Sequence, residues 1–64
     1  MNATKIKELK IFFLKEHQLK LTTQDVYHLA SIEEPSLLGY ELLVEYNCAL
    51  HKDDLEYIFD LLSN

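Results

Sequence analysis

The sequence predicts an all-α protein, a small bundle of about four helices with a helix-turn-helix-like centre, in which residues 1–64 form a single domain. Apolar residues recur at helical spacing in four separate segments, and no alternation of polar and apolar residues is long enough for a strand. The chain is 48% hydrophobic with one glycine and one proline, which is typical of a folded domain. A chain of this length buries only about 60% of its unfolded surface, so we expect a small core.

The first helix is predicted over about residues 3–18, where Ile6, Leu9 and Phe13 share one face. Three further apolar residues widen this face, namely Ile11, Phe12 and Leu14. The preferred interpretation is a central helix that is buried on more than one side. The alternative is an exposed aromatic contact surface.

The second helix is predicted to begin at a Thr-x-x-Asp pattern. The Thr22 hydroxyl can accept a hydrogen bond from the Asp25 amide, while the Asp25 carboxylate favours the positive end of the helix. We expect this helix to run to about Ala30, to bury Val26, Leu29 and Ala30, and to end in a tight turn over residues 31–35.

The third helix is predicted to start at Pro35, because a first helical turn does not need the missing amide hydrogen. Gly39 in its middle indicates either a close helix contact or simple tolerance of glycine. The apolar residues of this helix are Leu37, Leu38, Leu42, Leu43 and Tyr46. After a connection over residues 47–52, Asp53 or a near neighbour is expected to cap a fourth helix, whose apolar stripe consists of Leu55, Ile58, Phe59 and Leu62.

Charge is unevenly distributed along the chain, whose formal net charge is -5. Residues 1–20 carry five lysines and two glutamates, whereas residues 21–64 carry one lysine and nine acidic residues. Such a surface repels a phosphate backbone and attracts a basic partner. Because no apolar run approaches the roughly 18 residues of a membrane span and the first residues do not resemble a signal peptide, we expect a cytoplasmic protein.

No residue pattern indicates catalysis or metal binding. His17, His28 and His51 lack the spacing that places two metal ligands on one helix face. Cys48, the single cysteine, is expected to be a small half-buried hydrophobic residue. The carboxylates are expected on solvated faces, where burial does not raise the pKa of a general acid. We therefore expect a protein that is not an enzyme and uses no metal or cofactor.

Residues 21–41, LTTQDVYHLASIEEPSLLGYE, resemble the helix-turn-helix unit of the phage-repressor and Cro-like family. That family typically starts its second helix with threonine, followed at fixed spacing by aliphatic, small, aromatic and acidic residues. The corresponding positions here, without a gap, are Thr22, Val26, Ala30, Ile32, Leu37, Tyr40 and Glu41. Together with the preceding segment, the resemblance covers about residues 5–41. It implies a helix-turn-helix fold and a role in transcription regulation.

The chain departs from that family at two packing positions and at the positions that would contact DNA. Tyr27 replaces the small alanine that lets the two helices approach closely, and Ser31 replaces the usual glycine of the turn, so a wider helix crossing is expected. The positions that would face the major groove or adjacent phosphates hold no Arg, Lys, Asn or Gln; they are Glu33, Glu34, Pro35, Ser36, Leu38 and Gly39. Because sequence-specific proteins combine base contacts with cationic phosphate contacts, this acidic recognition helix is atypical.

The favoured functional hypothesis is a small acidic regulator that acts by protein-protein interaction. Its partner would be a basic protein such as a DNA-binding regulator, which it would inhibit as an antirepressor or DNA mimic. The expected interaction residues are Glu33, Glu34, Glu41 and Glu45, with Leu38 and neighbouring apolar groups as the central anchor. The simpler explanation is that these acids form a solvated face that keeps the protein soluble.

Two other functions are consistent with the sequence. One is a Cro-like DNA-binding dimer whose phosphate contacts come from Lys5, Lys7, Lys10 and Lys15. The other is a small structural subunit of a larger assembly, docked through the fourth helix. The same helix is the candidate homodimer face, because a small core without a disulfide favours self-association. The residues of this face are Leu55, Ile58, Phe59 and Leu62, which otherwise close the core.

Overall fold

The computed structural model describes residues 2–63, and this part of the chain forms four α-helices without a strand. Helix α1 spans Ala3–His17, α2 spans Thr23–Ala30, α3 spans Pro35–Tyr46 and α4 spans Lys52–Ser63. Helix α4 packs against each of the other three helices, and α1 also packs against α2. The predicted fold class, a small all-α bundle, is confirmed.

The core lies between the four helices and receives side chains from all of them. Phe13 of α1, Val26 of α2, Leu42 of α3 and Ile58 of α4 have no exposed surface. Among the described residues the buried set is entirely apolar and consists of Leu9, Phe13, Leu21, Val26, Leu29, Leu38, Leu42, Cys48 and Ile58. Each large side chain of this kind contributes roughly 1.5–3 kcal/mol to folding when it is fully buried, so this small cluster is the main source of stability.

Side chains cap the first turns of α1 and α2 by accepting hydrogen bonds from backbone amides. The Asn2 side chain accepts a hydrogen bond of 2.9 Å from the Lys5 amide at the start of α1. At α2 the Asp25 amide donates to the Thr22 hydroxyl over 3.0 Å, and the Thr22 amide donates to the Asp25 carboxylate over 2.9 Å. These reciprocal bonds satisfy two amides that have no partner within the helix, which confirms the predicted cap.

Left-handed residues end α1 and α3. Gln18 has φ 53° and Asn47 has φ 52°. The next amides turn back onto the helices, since Leu19 donates to the Phe13 carbonyl over 3.0 Å and Cys48 donates to the Leu42 carbonyl over 2.9 Å. Both turns direct the following apolar side chain toward the core.

Two expectations about the helices are corrected and one is narrowed. Helix α1 is not buried on more than one side, because Ile11 and Leu14 are 52% and 54% exposed. Asp53 lies inside the first turn of α4, which begins at Lys52, so of Asp53 and its near neighbours only a neighbour is placed to cap this helix. Ala30 is only half-buried. A bundle of four short helices covers one side of each helix, so the outer side of α1 stays in contact with solvent.

Gly39 marks a close contact between α3 and α4. A Cβ atom at this position would lie 3.1 Å from Cδ2 of Leu55, which is tighter than ordinary van der Waals contact. Of the two interpretations suggested by the sequence, the structure supports the close helix contact.

The left-handed end of α1 predicts that Gln18→Gly stabilises the protein. A residue with a Cβ atom loses about 1–2 kcal/mol in the left-handed region, and glycine avoids this cost. Glycine also makes the unfolded chain more flexible, which offsets about 0.4–1 kcal/mol, so we expect a net gain of several tenths of a kcal/mol or more. Urea unfolding should show a higher midpoint with an unchanged slope. Gln18→Ala is the matched control and should give no gain, because alanine keeps the Cβ atom.

Candidate protein-interaction surface

Helix α3 is apolar on the side that faces solvent as well as on the side that faces the core. Leu37, Tyr40, Leu43 and Val44 are 53%, 64%, 51% and 52% exposed, respectively. Leu37, Tyr40 and Val44 follow one another at spacings of three and four residues and therefore lie along one side of the helix. We call these four residues the α3 face. A helix that is apolar all round is typical of one covered on both sides, whereas here only one side is covered.

Glutamates border the α3 face. Glu33 and Glu34 are exposed in the connection before α3, while Glu41 and Glu45 lie one turn apart along the helix. No lysine or arginine occurs in the sequence between Lys20 and Lys52. The chain segment that contains these glutamates therefore carries no Lys or Arg side chain. A groove of about 340 Å³ runs along the start of α3 and is lined by Ser31, Ile32, Glu33, Glu34, Leu37, Tyr40 and Glu41.

Two side-chain hydrogen bonds attach α3 to α2 and so orient the α3 face. His28 Nε2 lies 2.7 Å from Glu41 Oε2 near the middle of α3. The Tyr46 hydroxyl donates to Asp25 Oδ1 over 3.0 Å at the end of α3. Because Glu41 is engaged by His28, the carboxylates that remain fully available to a partner are those of Glu33, Glu34 and Glu45.

The pKa values of Asp25 and Tyr46 are both shifted by their surroundings. Hydrogen bonds from the Thr22 amide and then the Thr22 hydroxyl lower the pKa of Asp25, with a smaller contribution from Tyr46. Burial, followed by the hydrogen bond to the Asp25 carboxylate, raises the pKa of Tyr46 to about 12. Near neutral pH the pair is therefore a carboxylate and a neutral phenol, the states in which the bond forms.

Leu38 does not belong to the interaction surface, which corrects the sequence-based expectation. Its side chain has no exposed area and packs in the core, one turn from Leu42. Gly39 also faces inward, against Leu55 of α4. The neighbouring apolar groups expected beside Leu38 are exposed, and among them are Leu37 and Tyr40. The signal in the sequence was that apolar residues occur on all sides of α3. Packing of one side of the helix in the core accounts for only some of them.

The apolar stripe of α4 is used within the bundle. Ile58 has no exposed surface, so its assignment to a dimer or docking face is corrected. Leu55, Phe59 and Leu62 are half-buried and pack against the core. The physical reason is that α4 closes the bundle by contacting the other three helices.

Cys48 and His17 are packed among other side chains of the bundle. Cys48 is buried, and this burial raises the pKa of its thiol. The His17 ring lies against Phe12, with ring centroids 5.6 Å apart. Across residues 2–63 no group of three or more His, Cys, Asp or Glu side chains is placed to hold a metal ion.

Neighbouring leucines in α3 provide a test of which side is the surface. Leu38→Ala should destabilise the fold by about 2–5 kcal/mol, because it leaves a cavity in the core. Leu37→Ala should change the free energy of unfolding by less than about 0.5 kcal/mol, because that side chain is half exposed. Urea unfolding of the two variants measures both values. Equal destabilisation by the two substitutions would contradict this orientation of α3.

The shifted pKa values of Asp25 and Tyr46 predict a specific pH dependence of stability. Because hydrogen bonds with Thr22 above all hold the folded-state pKa of Asp25 below its ordinary value of 3.8, its contribution is present above that pH and is lost as the pH falls through the folded pKa. Asp25→Asn should therefore cost about 1 kcal/mol near neutral pH, and the difference from wild type should shrink in acid. Because the Tyr46 pKa is raised from 10.0 to about 12, its contribution is fully present below pH 10.0 and is lost as the pH rises from there through about 12. Urea unfolding across pH, with Tyr46→Phe as the comparison, tests both signs.

No helix within residues 2–63 is both long and apolar enough to cross a membrane.

Comparison with other proteins adds no further assignment to this surface. The chain was compared with protein-family models, with curated proteins and with solved structures, and none of them matched.

Proposed function

We propose that this protein is a non-catalytic regulator that binds a basic protein partner through the α3 face. The observation that carries the proposal is the combination of four large apolar side chains, each at least half exposed, with a border of glutamates. Apolar side chains of this size on one helix face are costly to leave in water and are typical of a binding surface.

The two parts of this surface have different roles in binding. Tyr40 is the most exposed of the four apolar residues and belongs to a residue type enriched among energetic anchors. Leu37 and Val44 flank it along the helix and would exclude water from the centre of the contact. Glu33, Glu34 and Glu45 would steer a basic partner toward the surface and disfavour an acidic one.

The partner class that best fits such a surface is a DNA-binding regulator. Proteins that bind DNA present basic side chains to phosphates and bases, often beside apolar groups. An acidic helix with an apolar centre can occupy that surface and compete with DNA for it. The protein would then inhibit its partner as an antirepressor or DNA mimic and thereby act in transcription regulation.

Direct DNA binding by α3 is less consistent with the same surface. The helix contains no Lys, Arg, Asn or Gln, the side chains that most often contact bases and phosphates. Its exposed leucines and valine offer no hydrogen bonds to base edges. A purely solvated acidic face is also a weaker explanation, because it accounts for the glutamates and leaves the exposed apolar row without a role.

The test is capture of a basic DNA-binding protein from the host lysate by the tagged chain, with release at high salt. Two variants should lose capture by at least about tenfold, the charge reversal Glu33→Lys with Glu34→Lys and the anchor removal Tyr40→Ser. The matched control is Glu16→Lys with Glu56→Lys, which changes the net charge equally on exposed residues of α1 and α4. This control should keep capture, and urea unfolding should show all variants folded.

A gel-shift experiment supplies the contrary outcome. The captured protein should shift its DNA, and addition of the wild-type chain should abolish that shift. If the wild-type chain alone shifts specific DNA fragments and the α3 variants still do so, the protein is a DNA binder that does not use the α3 face. Capture that survives in Tyr40→Ser and in the charge reversal would equally contradict the proposal.

A further inference from the structure

Helix α1 carries a second exposed apolar surface, and its charge is opposite to that of the α3 face. Ile11 and Leu14 are 52% and 54% exposed and lie on neighbouring positions of the helix surface. Lys7 and Lys15 lie one turn before and one turn after Ile11, and Lys10 and Lys20 line the adjoining groove. We call these six residues the α1 face.

The α1 face contains a groove that an apolar side chain can enter. The groove has a volume of about 250 Å³ and is lined by Lys10, Ile11, Leu14, Lys20 and Leu21. Lys10 Nζ donates to the Thr23 hydroxyl over 2.7 Å, which holds the lysine stem at one edge of the groove. Three aliphatic side chains and two lysines therefore line the groove together.

We infer that the α1 face of one copy binds the α3 face of a second copy, so that the protein associates with itself head to tail. Each face pairs exposed aliphatic or aromatic groups with a predominant charge: lysines outnumber the one nearby acid, Glu8, around the α1 face, and glutamates border the α3 face, so the predominant signs are opposite. A contact between two α3 faces would place the glutamates of both copies together, and a contact between two α1 faces would do the same with lysines. Only the mixed contact brings the apolar groups together without like charges.

The size of the molecule allows such a contact. The described chain exposes 4455 Å². A standard interface takes about 800 Å² from each partner, which is roughly a fifth of this surface. Because the contact joins two different surfaces, each pair of copies retains one uncovered α1 face and one uncovered α3 face. Further copies can therefore add to the pair, and the assembly stops growing only when a ring closes or no free copies remain.

Self-association of this kind would regulate the proposed function, and this consequence rests on that function. The second copy covers the same α3 face that a basic partner would use. A partner then has to displace the second copy, so the fraction of protein that is free to bind falls as its concentration rises. The self-contact itself does not depend on the existence of the partner.

The experiment uses two variants that each disable one face. Ile11→Ser with Leu14→Ser removes the apolar part of the α1 face, and Leu37→Ser with Tyr40→Ser removes that of the α3 face. Wild-type protein in sedimentation equilibrium should show a mass that rises with concentration above that of one chain. Each variant alone should remain a single chain. An equimolar mixture should form a pair and nothing larger, because only one intact contact remains between them.

Several results would overturn the inference. They are a wild-type protein that stays a single chain up to millimolar concentration, a single variant that still associates, and a mixture that does not pair. Binding of a monomeric wild-type protein to vesicles of anionic phospholipid, lost in the α1 variant, would instead assign the α1 face to a membrane surface.

The same variants separate this inference from the proposed function. The α1 variant should capture the basic partner at least as well as wild type, because its α3 face is intact and uncovered. If wild type is monomeric while capture still requires the α3 face, the inference fails and the proposed function stands. If the α3 variant loses self-association but keeps capture, the proposed function fails and the inference stands.

Discussion

The packing of α4 against all three other helices is the constraint on which the rest of this structure depends. A chain of this length has few apolar side chains to bury, and without the fourth helix the buried faces of α2 and α3 would meet solvent. Ile58 fills the centre of the core, and Leu55 reaches Gly39 of α3 at a distance that only a glycine accommodates without adjustment. Closure by α4 packs its apolar stripe against the core, whereas rows of exposed apolar side chains remain on α1 and α3.

One side of α3 is consequently packed in the bundle, and its other side is exposed to solvent. Its inner side contributes Leu38 and Leu42 to the core, and hydrogen bonds from His28 and to Asp25 attach it to α2 at two levels. These attachments hold the outer side in one orientation. A row of apolar groups on a rigid helix loses little conformational entropy when it is covered, which is the property required of a docking surface.

The outer surface has two regions whose predominant charges are opposite in sign. Five of the six lysines lie on α1 and the following loop, four of the seven glutamates lie on α3 or just before it, and each region has an exposed apolar row. This arrangement connects the two proposals, because an apolar row with a glutamate border favours a basic partner and the chain itself carries a surface of that kind. The regulatory role and the self-contact therefore draw on the same physical features, burial of exposed apolar area and complementarity of charge.

Local interactions explain what the sequence by itself determined: four helices, the cap of α2 at Thr22 and Asp25, and a glutamate border near the start of α3. These features depend on hydrogen bonds and periodicity within a few residues. Tertiary structure decided that Leu38 turns inward and Leu37 outward, and that α1 is exposed at Ile11 and Leu14. Periodicity cannot separate two sides of a helix that are both apolar. The distinction came from the position of α4, whose contacts with the other helices determine which apolar side chains lose their exposure to water.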